Sequence, residues 1–239
     1  MIIKNDLKNT SGIRALSLDI DDTMTHYLPT PQYLADTLDE FNLPYSKDVL
    51  LGYFNAIRQF ESNVLQTGEF SSDIFIKYLW NNIKILRESD ISEVDFKNCL
   101  FDKEAFYTKI ASGVQEEVAL LHHYYRLFCY TKWFREQQQR KLSKHDLLQY
   151  IERVYAFEDD SAIKTSQGFE TLAINLKHLG INKNEFVHIG DSNIDIEPCE
   201  SAGIQSILID YKETKQNLYP MALAVVTEFS DLKRVLARK

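Results

Sequence analysis

The chain has 239 residues, 44% of them hydrophobic and 26% charged, a globular balance with enough apolar mass for a sizeable core. Its net charge is −8, and no local basic stripe offsets it, which excludes nucleic acid as a main partner. No apolar run approaches the roughly 18 residues of a membrane span, MIIKNDLKNT lacks the apolar stretch of a signal peptide, and three cysteines (Cys99, Cys129, Cys199) without a C-x-x-C give neither a disulfide framework nor a structural zinc site, so the reducing cytoplasm is the expected compartment.

In chain order, IRALSLDI at 13–20 reads as a buried strand. Residues 27–112 then carry helical signals. Thr30 and Pro31 open one helix as cap and first helical residue. Ser46 opens a second, with Val49, Leu50, Tyr53, Phe54, Ile57 and Phe60 on helical spacing as far as Gly68. Ser72 precedes DIFIKYLWNNIKIL and Ser92 precedes EVDFKNCLF, which makes four helices with short connections, a small bundle. Most of the aromatics there (Tyr53, Phe54, Phe60, Phe75, Tyr78, Trp80) are expected in the bundle core, with one or two reaching a ligand.

From about 114 the pattern alternates. A helix at 114–124 precedes the strand RLFCYT at 126–131, and FREQQQRKL forms a helix in which RKLSK at 140–144 reads as a solvated face. GFETLAINLKHLG is a helix closed by Gly180, EFVHIGD a strand, IEPCESAG a short helix and QSILID a strand. ALAVVTE adds a strand and SDLKRVLARK a final helix. Strands and helices in alternation predict an α/β fold: a Rossmann-like parallel sheet with helices on both faces, and an inserted all-helical segment. The expected division is a core of 1–26 and 113–239 and a helical cap of 27–112.

The first strand ends in Asp19, Asp21 and Asp22. Two carboxylates about 4 Å apart repel by roughly 4 kcal/mol at the effective dielectric of protein sites. Such crowding is tolerated in solvated turns, at metal sites and in acid–base pairs. In open α/β sheets, ligands bind beyond the carboxyl ends of the strands. The other strands end there in Thr131 and Gly190-Asp191, with Asp195 four residues on, and Lys164 lies in a loop before a helix. Several carboxylates around one point call for a cation, and hard oxygen ligands favour Mg²⁺. A lysine and a hydroxyl beside them suit a phosphate.

This order of motifs resembles the haloacid dehalogenase-like (HAD) superfamily: D-x-D-x-T as DIDDT, a strand-end Thr131, Lys164, and an acidic pair in GDSNID. The helical segment stands between the first and second motifs, where that family places its cap. The resemblance implies that Asp19 attacks phosphorus, that Asp21 protonates the leaving oxygen and then activates water, and that Thr131 and Lys164 hold the phosphoryl group. It implies that Mg²⁺ is bound by Asp19, the backbone carbonyl of Asp21 and Asp191, with Asp195 assisting through a water or by orienting Lys164. Members that cleave carbon–halogen bonds need no acid at the position of Asp21, so phosphoryl transfer is favoured.

The chain departs from the common pattern at Thr165, where proline is frequent, at Lys132, where asparagine is frequent, and at Asp22, where glycine is frequent. Residues 27–112 hold 8 Lys and Arg against 13 Asp and Glu, net −5, which suits a compact, singly phosphorylated metabolite better than a polyphosphate. The implied function is a Mg²⁺-dependent phosphatase of a phosphosugar or nucleoside monophosphate, acting as a monomer or homodimer with no membrane partner. The alternatives are a phosphomutase, a phosphonate hydrolase using a cap lysine (Lys47, Lys77, Lys84 or Lys97), and a catalytically idle HAD fold serving as a binding or regulatory module.

Overall fold

A computed structural model describes residues 2–3, 12–26, 30–67, 69–159, 163–214 and 222–236. The strands are β1 (Ile2–Ile3), β2 (Ala15–Leu18) and β3 (Thr25–His26), then β4 (Lys109–Ile110), β5 (Arg126–Tyr130), β6 (Arg153–Tyr155), β7 (Phe186–Gly190), β8 (Gln205–Ile209) and β9 (Ala224–Val226). The helices are α1 (Thr30–Glu40), α2 (Lys47–Thr67), α3 (Ser72–Asn82), α4 (Lys84–Arg87) and α5 (Glu93–Tyr107), all between β3 and β4. Then come α6 (Val114–His122), α7 (Arg135–Lys144), α8 (Ser166–His178), α9 (Asn193–Ser201) and α10 (Leu232–Leu236).

The main sheet runs β1-β9-β8-β7-β2-β5-β6, parallel throughout except for β1, which pairs antiparallel with β9. Alternate residues serve opposite faces, as the pleat requires. Ala15, Phe128 and Phe186 enter the hydrophobic layer shared with α8 and with the helices after β3, whereas Leu16, Leu18, Leu127, Cys129, Val187 and Ile189 enter the layer under α6 and α10. Both faces are covered, which is why these strands read as continuous apolar runs. The chain steps from β2 to β5 on one side and later to β7 on the other. This reversal leaves the carboxyl ends of β2, β5 and β7 side by side, the position where open α/β sheets build their sites.

The helices between β3 and β4 share a core with the sheet. Phe70 stacks on Phe157 with ring centroids 4.1 Å apart, and Phe60 lies 5.5 Å from Phe134. Gly52 of α2 sits against the end of α3, where a Cβ would come within 2.6 Å of the Asn82 carbonyl oxygen.

Several expectations shift. Ser71, not Ser72, caps α3, accepting from the Ile74 N–H, and Ile83 interrupts the expected long helix with an extended backbone before α4. Ser92 does cap α5, accepting from Asp95, and that helix runs on to Tyr107. The strand β6 was not anticipated: three residues between polar neighbours carry too short a pattern to read. The pair β3–β4 was missed for the same reason, since each strand has two residues. Gly68 and the last residues of the final expected helix, 237–239, lie outside the described residues. Among the described residues no helix is long and apolar enough to cross a membrane.

Candidate active site

Beyond Leu18 the chain turns sharply. The N–H groups of Met24 and Thr25 both donate to the Ile20 carbonyl, at 2.9 and 3.0 Å. Asp22 takes φ +59° in this turn, a left-handed backbone that aspartate tolerates and glycine adopts freely. Asp19 remains tied to the sheet through its N–H, which donates to Ile189 at 2.9 Å, and Thr23 donates its hydroxyl to Asp19 Oδ2 at 3.0 Å. The threonine of DIDDT therefore orients the first aspartate.

Thr131 follows β5 and is buried, its N–H donating to the Tyr155 carbonyl at 3.0 Å. Lys164 stands one residue before Thr165, the N-cap of α8, at φ +58°. That conformation costs a lysine on the order of 1–3 kcal/mol, and the Tyr130 hydroxyl holds it by accepting from the Lys164 N–H at 3.1 Å. The Lys164 ammonium donates to Asp19 Oδ1 and to Asp195 Oδ1.

Asp195 is wholly buried in the first turn of α9. Ser192 donates its hydroxyl to Asp195 Oδ2 at 2.5 Å, and the His188 ring packs 3.3 Å from Oδ1. Gly190 makes room for it: a Cβ at 190 would lie 2.4 Å from Asp195 Cβ and Cγ. The glycine of GDSNID is thus required by the aspartate five residues later. Asp19, Asp21, Thr131, Lys164 and Asp191 line one cavity of about 380 Å³, and Asp195 lies beneath it, reaching the site through Lys164.

Burial and the Asp195 charge push Asp19 up to about 8 despite Lys164. Burial would also raise Asp195, but Lys164 and His188 bring it below the usual carboxylate range. Lys164 is raised: its two carboxylates outweigh the burial that would lower it. The carboxylate oxygens of Asp19, Asp191 and Asp195 come within 4.8 Å of one another. This all-oxygen donor set fits a hard divalent cation such as Mg²⁺.

Asp21 lines the cavity with its carboxylate turned to α7. Lys141 Nζ donates to its Oδ1 at 2.9 Å and Gln138 Nε2 to its Oδ2 at 2.5 Å. Lys141 also pairs with Glu104 Oε1 at 2.8 Å, and Gln137 Nε2 donates to Glu104. The solvated face expected at 140–144 is corrected here: Lys141 is 1% exposed, because α7 lies between the sheet and α5. Reading 140–144 as one face missed the fact that Gln137, Gln138 and Lys141 share a turn. Nothing in the sequence signalled Glu104, whose helix mixes polar residues with the buried Phe96, Leu100 and Phe101.

Tyr33, Tyr53 and Trp133 line the cavity, whereas Phe60 and Phe75 are core. Lys132 lines it too, its ammonium 5.9 Å from the Phe157 ring centroid. None of Lys47, Lys77, Lys84 and Lys97 lines it; Lys97 is held by Asp73 and Glu136.

A family model described as haloacid dehalogenase-like hydrolase matches residues 62–209. No curated protein sequence matches the chain. Among solved structures, the Bacillus subtilis HAD-hydrolase YfnB in a magnesium-bound form superposes with a TM-score of 0.66 at 16% identity, covering 95% of this chain and 99% of that one. A HAD phosphatase from Thermococcus onnurineus gives 0.61 at 21% identity, covering 94% and 98%. The L-2-haloacid dehalogenase of Xanthobacter autotrophicus, with chloropropionic acid covalently bound, gives 0.65 at 10% identity, covering 94% and 98%.

Proposed function

The chain belongs to the haloacid dehalogenase-like hydrolases, and we propose that within that family it is a Mg²⁺-dependent phosphatase of small phosphomonoesters. The observation that carries this reading is the second carboxylate. Asp21 lines the cavity beside Asp19, with both its oxygens held by side chains of α7. Displacing halide needs no proton donor, but expelling an alkoxide from a phosphate ester does. The dehalogenase among the structural neighbours shares the fold at 10% identity and carries no weight on the chemistry.

In this reading a carboxylate oxygen of Asp19 attacks phosphorus. The bond to the ester oxygen breaks, and Asp21, which despite burial Lys141 and Gln138 hold below the usual carboxylate range, takes up a proton as the phosphate monoanion binds and delivers it to that oxygen. Asp21, now a carboxylate, takes a proton from a water that attacks the aspartyl-phosphate, releasing inorganic phosphate and regenerating Asp19. Lys164 offsets charge on the phosphoryl oxygens, and Thr131 contributes a hydroxyl donor. Asp19, Asp191 and the Asp21 carbonyl would hold Mg²⁺, with Asp195 assisting by orienting Lys164. When bound, the ion supplies electrostatic shielding that lets an anionic nucleophile approach an anionic phosphate.

We take residues 27–112 as a lid whose Tyr33 and Tyr53 select the leaving group. The cavity of about 380 Å³ suits a phosphosugar or nucleoside monophosphate. The test is hydrolysis of 4-nitrophenyl phosphate and a panel of phosphorylated metabolites with Mg²⁺ and with EDTA. Phosphate release that depends on Mg²⁺ supports the reading. No release from any member of the panel sinks it.

A further inference from the structure

Asp21 does not stand alone in its part of the site. Each of its carboxylate oxygens is taken by a side chain from one turn of α7, Gln138 on one and Lys141 on the other. Lys141 is in turn gripped by Glu104, which reaches across from α5 and is 4% exposed. Gln137, on the same turn of α7, donates to the other Glu104 oxygen.

Charge neutralisation does not account for this arrangement. One buried ammonium needs one carboxylate partner, and Asp21 already provides it. Adding Glu104 sets a second carboxylate, itself 4% exposed, on the same ammonium, while Asp21 keeps about a third of its side chain open to the cavity, and burial penalises that excess at Glu104. Burial indeed raises the Glu104 carboxyl, opposed by Lys141. Geometry offers the reason. A lysine has a long flexible stem and a point charge, and Asp19, Asp22 and Asp191 line the same cavity. Without a second anchor the Lys141 ammonium could turn to those carboxylates or to an incoming phosphate. Glu104 pulls from the side of α5 and leaves Lys141 one position, against Asp21.

We propose that Glu104 is a positioning residue that acts through Lys141 to hold the Asp21 carboxylate in line with the leaving-group oxygen, so that α5 serves the proton-transfer step. This rests on the phosphatase reading only for its kinetic consequence; the structural claim stands apart from it.

The experiment compares wild type with Glu104→Ala, Glu104→Gln and Lys141→Arg on two substrates with Mg²⁺. Nitrophenolate departs from 4-nitrophenyl phosphate without a proton, whereas the alkoxide of glycerol 2-phosphate needs one. Glu104→Ala should raise the ratio of aryl to alkyl kcat at least about tenfold, a partial loss of the roughly 10²–10⁴-fold that general acid–base catalysis contributes, with KM for the alkyl ester nearly constant. Glu104→Gln keeps an oxygen for Lys141 to bond, and Lys141→Arg keeps a cation between the two carboxylates. Both should restore most of the alkyl activity. An equal fall on both substrates, or no fall, overturns the proposal, because a purely structural role lowers both together.

Crystal structures of wild type and Glu104→Ala decide the same point without turnover. Departure of the Lys141 ammonium from Asp21 in the variant supports it, and an ammonium still within hydrogen-bond distance overturns it. Should Glu104→Ala fail to fold, Glu104→Met, which fills the space but offers Lys141 no oxygen, replaces it in both measurements. Were wild type to cleave neither ester, the phosphatase reading would fall while the two crystal structures still decided the positioning claim.

Discussion

Gly190→Ala isolates how the sheet positions the site. An alanine Cβ at 190 would lie 2.4 Å from both Cβ and Cγ of Asp195, about 1 Å short of the 3.4 Å at which ordinary contact begins. The obstacle is the short side chain of Asp195, wholly buried and pinned by Ser192, so Asp195 must move by most of that distance. Lys164 bonds Asp195 and Asp19 together, and the displacement passes to the ammonium beside the carboxylate proposed to attack. Overpacking of this kind costs about 1–3 kcal/mol, which for a chain this long lowers Tm by roughly 2–4 °C per kcal/mol. A misplacement near 1 Å costs on the order of 10²-fold in rate. The assay is kcat on 4-nitrophenyl phosphate at saturating Mg²⁺ beside a thermal melt. Turnover within twofold of wild type, with Tm unchanged, would refute the claim that Gly190 exists to admit Asp195.

Asp19→Asn keeps the shape but removes the proposed nucleophile and metal ligand; activity should become undetectable while the far-UV circular dichroism stays native, and a tenth of wild-type turnover would contradict the mechanism. Asp19 lies near 8 when folded against an ordinary 3.8, so the folded state retains a proton that the unfolded chain releases. Its contribution to metal-free stability is full below pH 4 and is lost as pH climbs through 8. A bound cation displaces that proton, so the rise in Tm on adding saturating Mg²⁺ should be larger at pH 8 than at pH 5.5; an equal or smaller rise at pH 8 counts against a cation on Asp19. Gly52→Ala gains up to about 1 kcal/mol of helix propensity, but its Cβ meets a backbone carbonyl at 2.6 Å. The clash should win, lowering the urea midpoint, and a stabilised variant would show that α2 and α3 can separate freely.

The fold was legible where burial leaves a pattern. Strands β2, β5, β7 and β8 are covered on both faces, and their apolar runs showed it. Strand β6 has three residues and draws its place from pairing with β5, information absent from a local window. Ile83 breaks the helix after Asn82 although its residue type favours no break, because it is buried against its surroundings as α4 starts. Tertiary packing overrides propensity there. The cap residues Ser71 and Ser72 are adjacent serines, and only backbone angles distinguish which one caps.

The site divides along the same line. Asp19, Thr131, Lys164 and Asp191 could be placed together because each stands at a strand end or just before a helix, and parallel topology brings those ends to one rim. Lys141 and Glu104 have no such address. They sit within helices whose polar residues look solvated, 37 positions apart in sequence, and they meet because α7 lies between the sheet and α5. A helix as polar as REQQQRKLSK is buried at reasonable cost only if its polar atoms find partners. Glu104 and Asp21 provide them, on the two sides of Lys141. The polarity of α7, unremarkable as a surface feature, becomes informative once that helix is known to be covered: the buried donors of Gln137, Gln138 and Lys141 all reach carboxylates, and those carboxylates line the site.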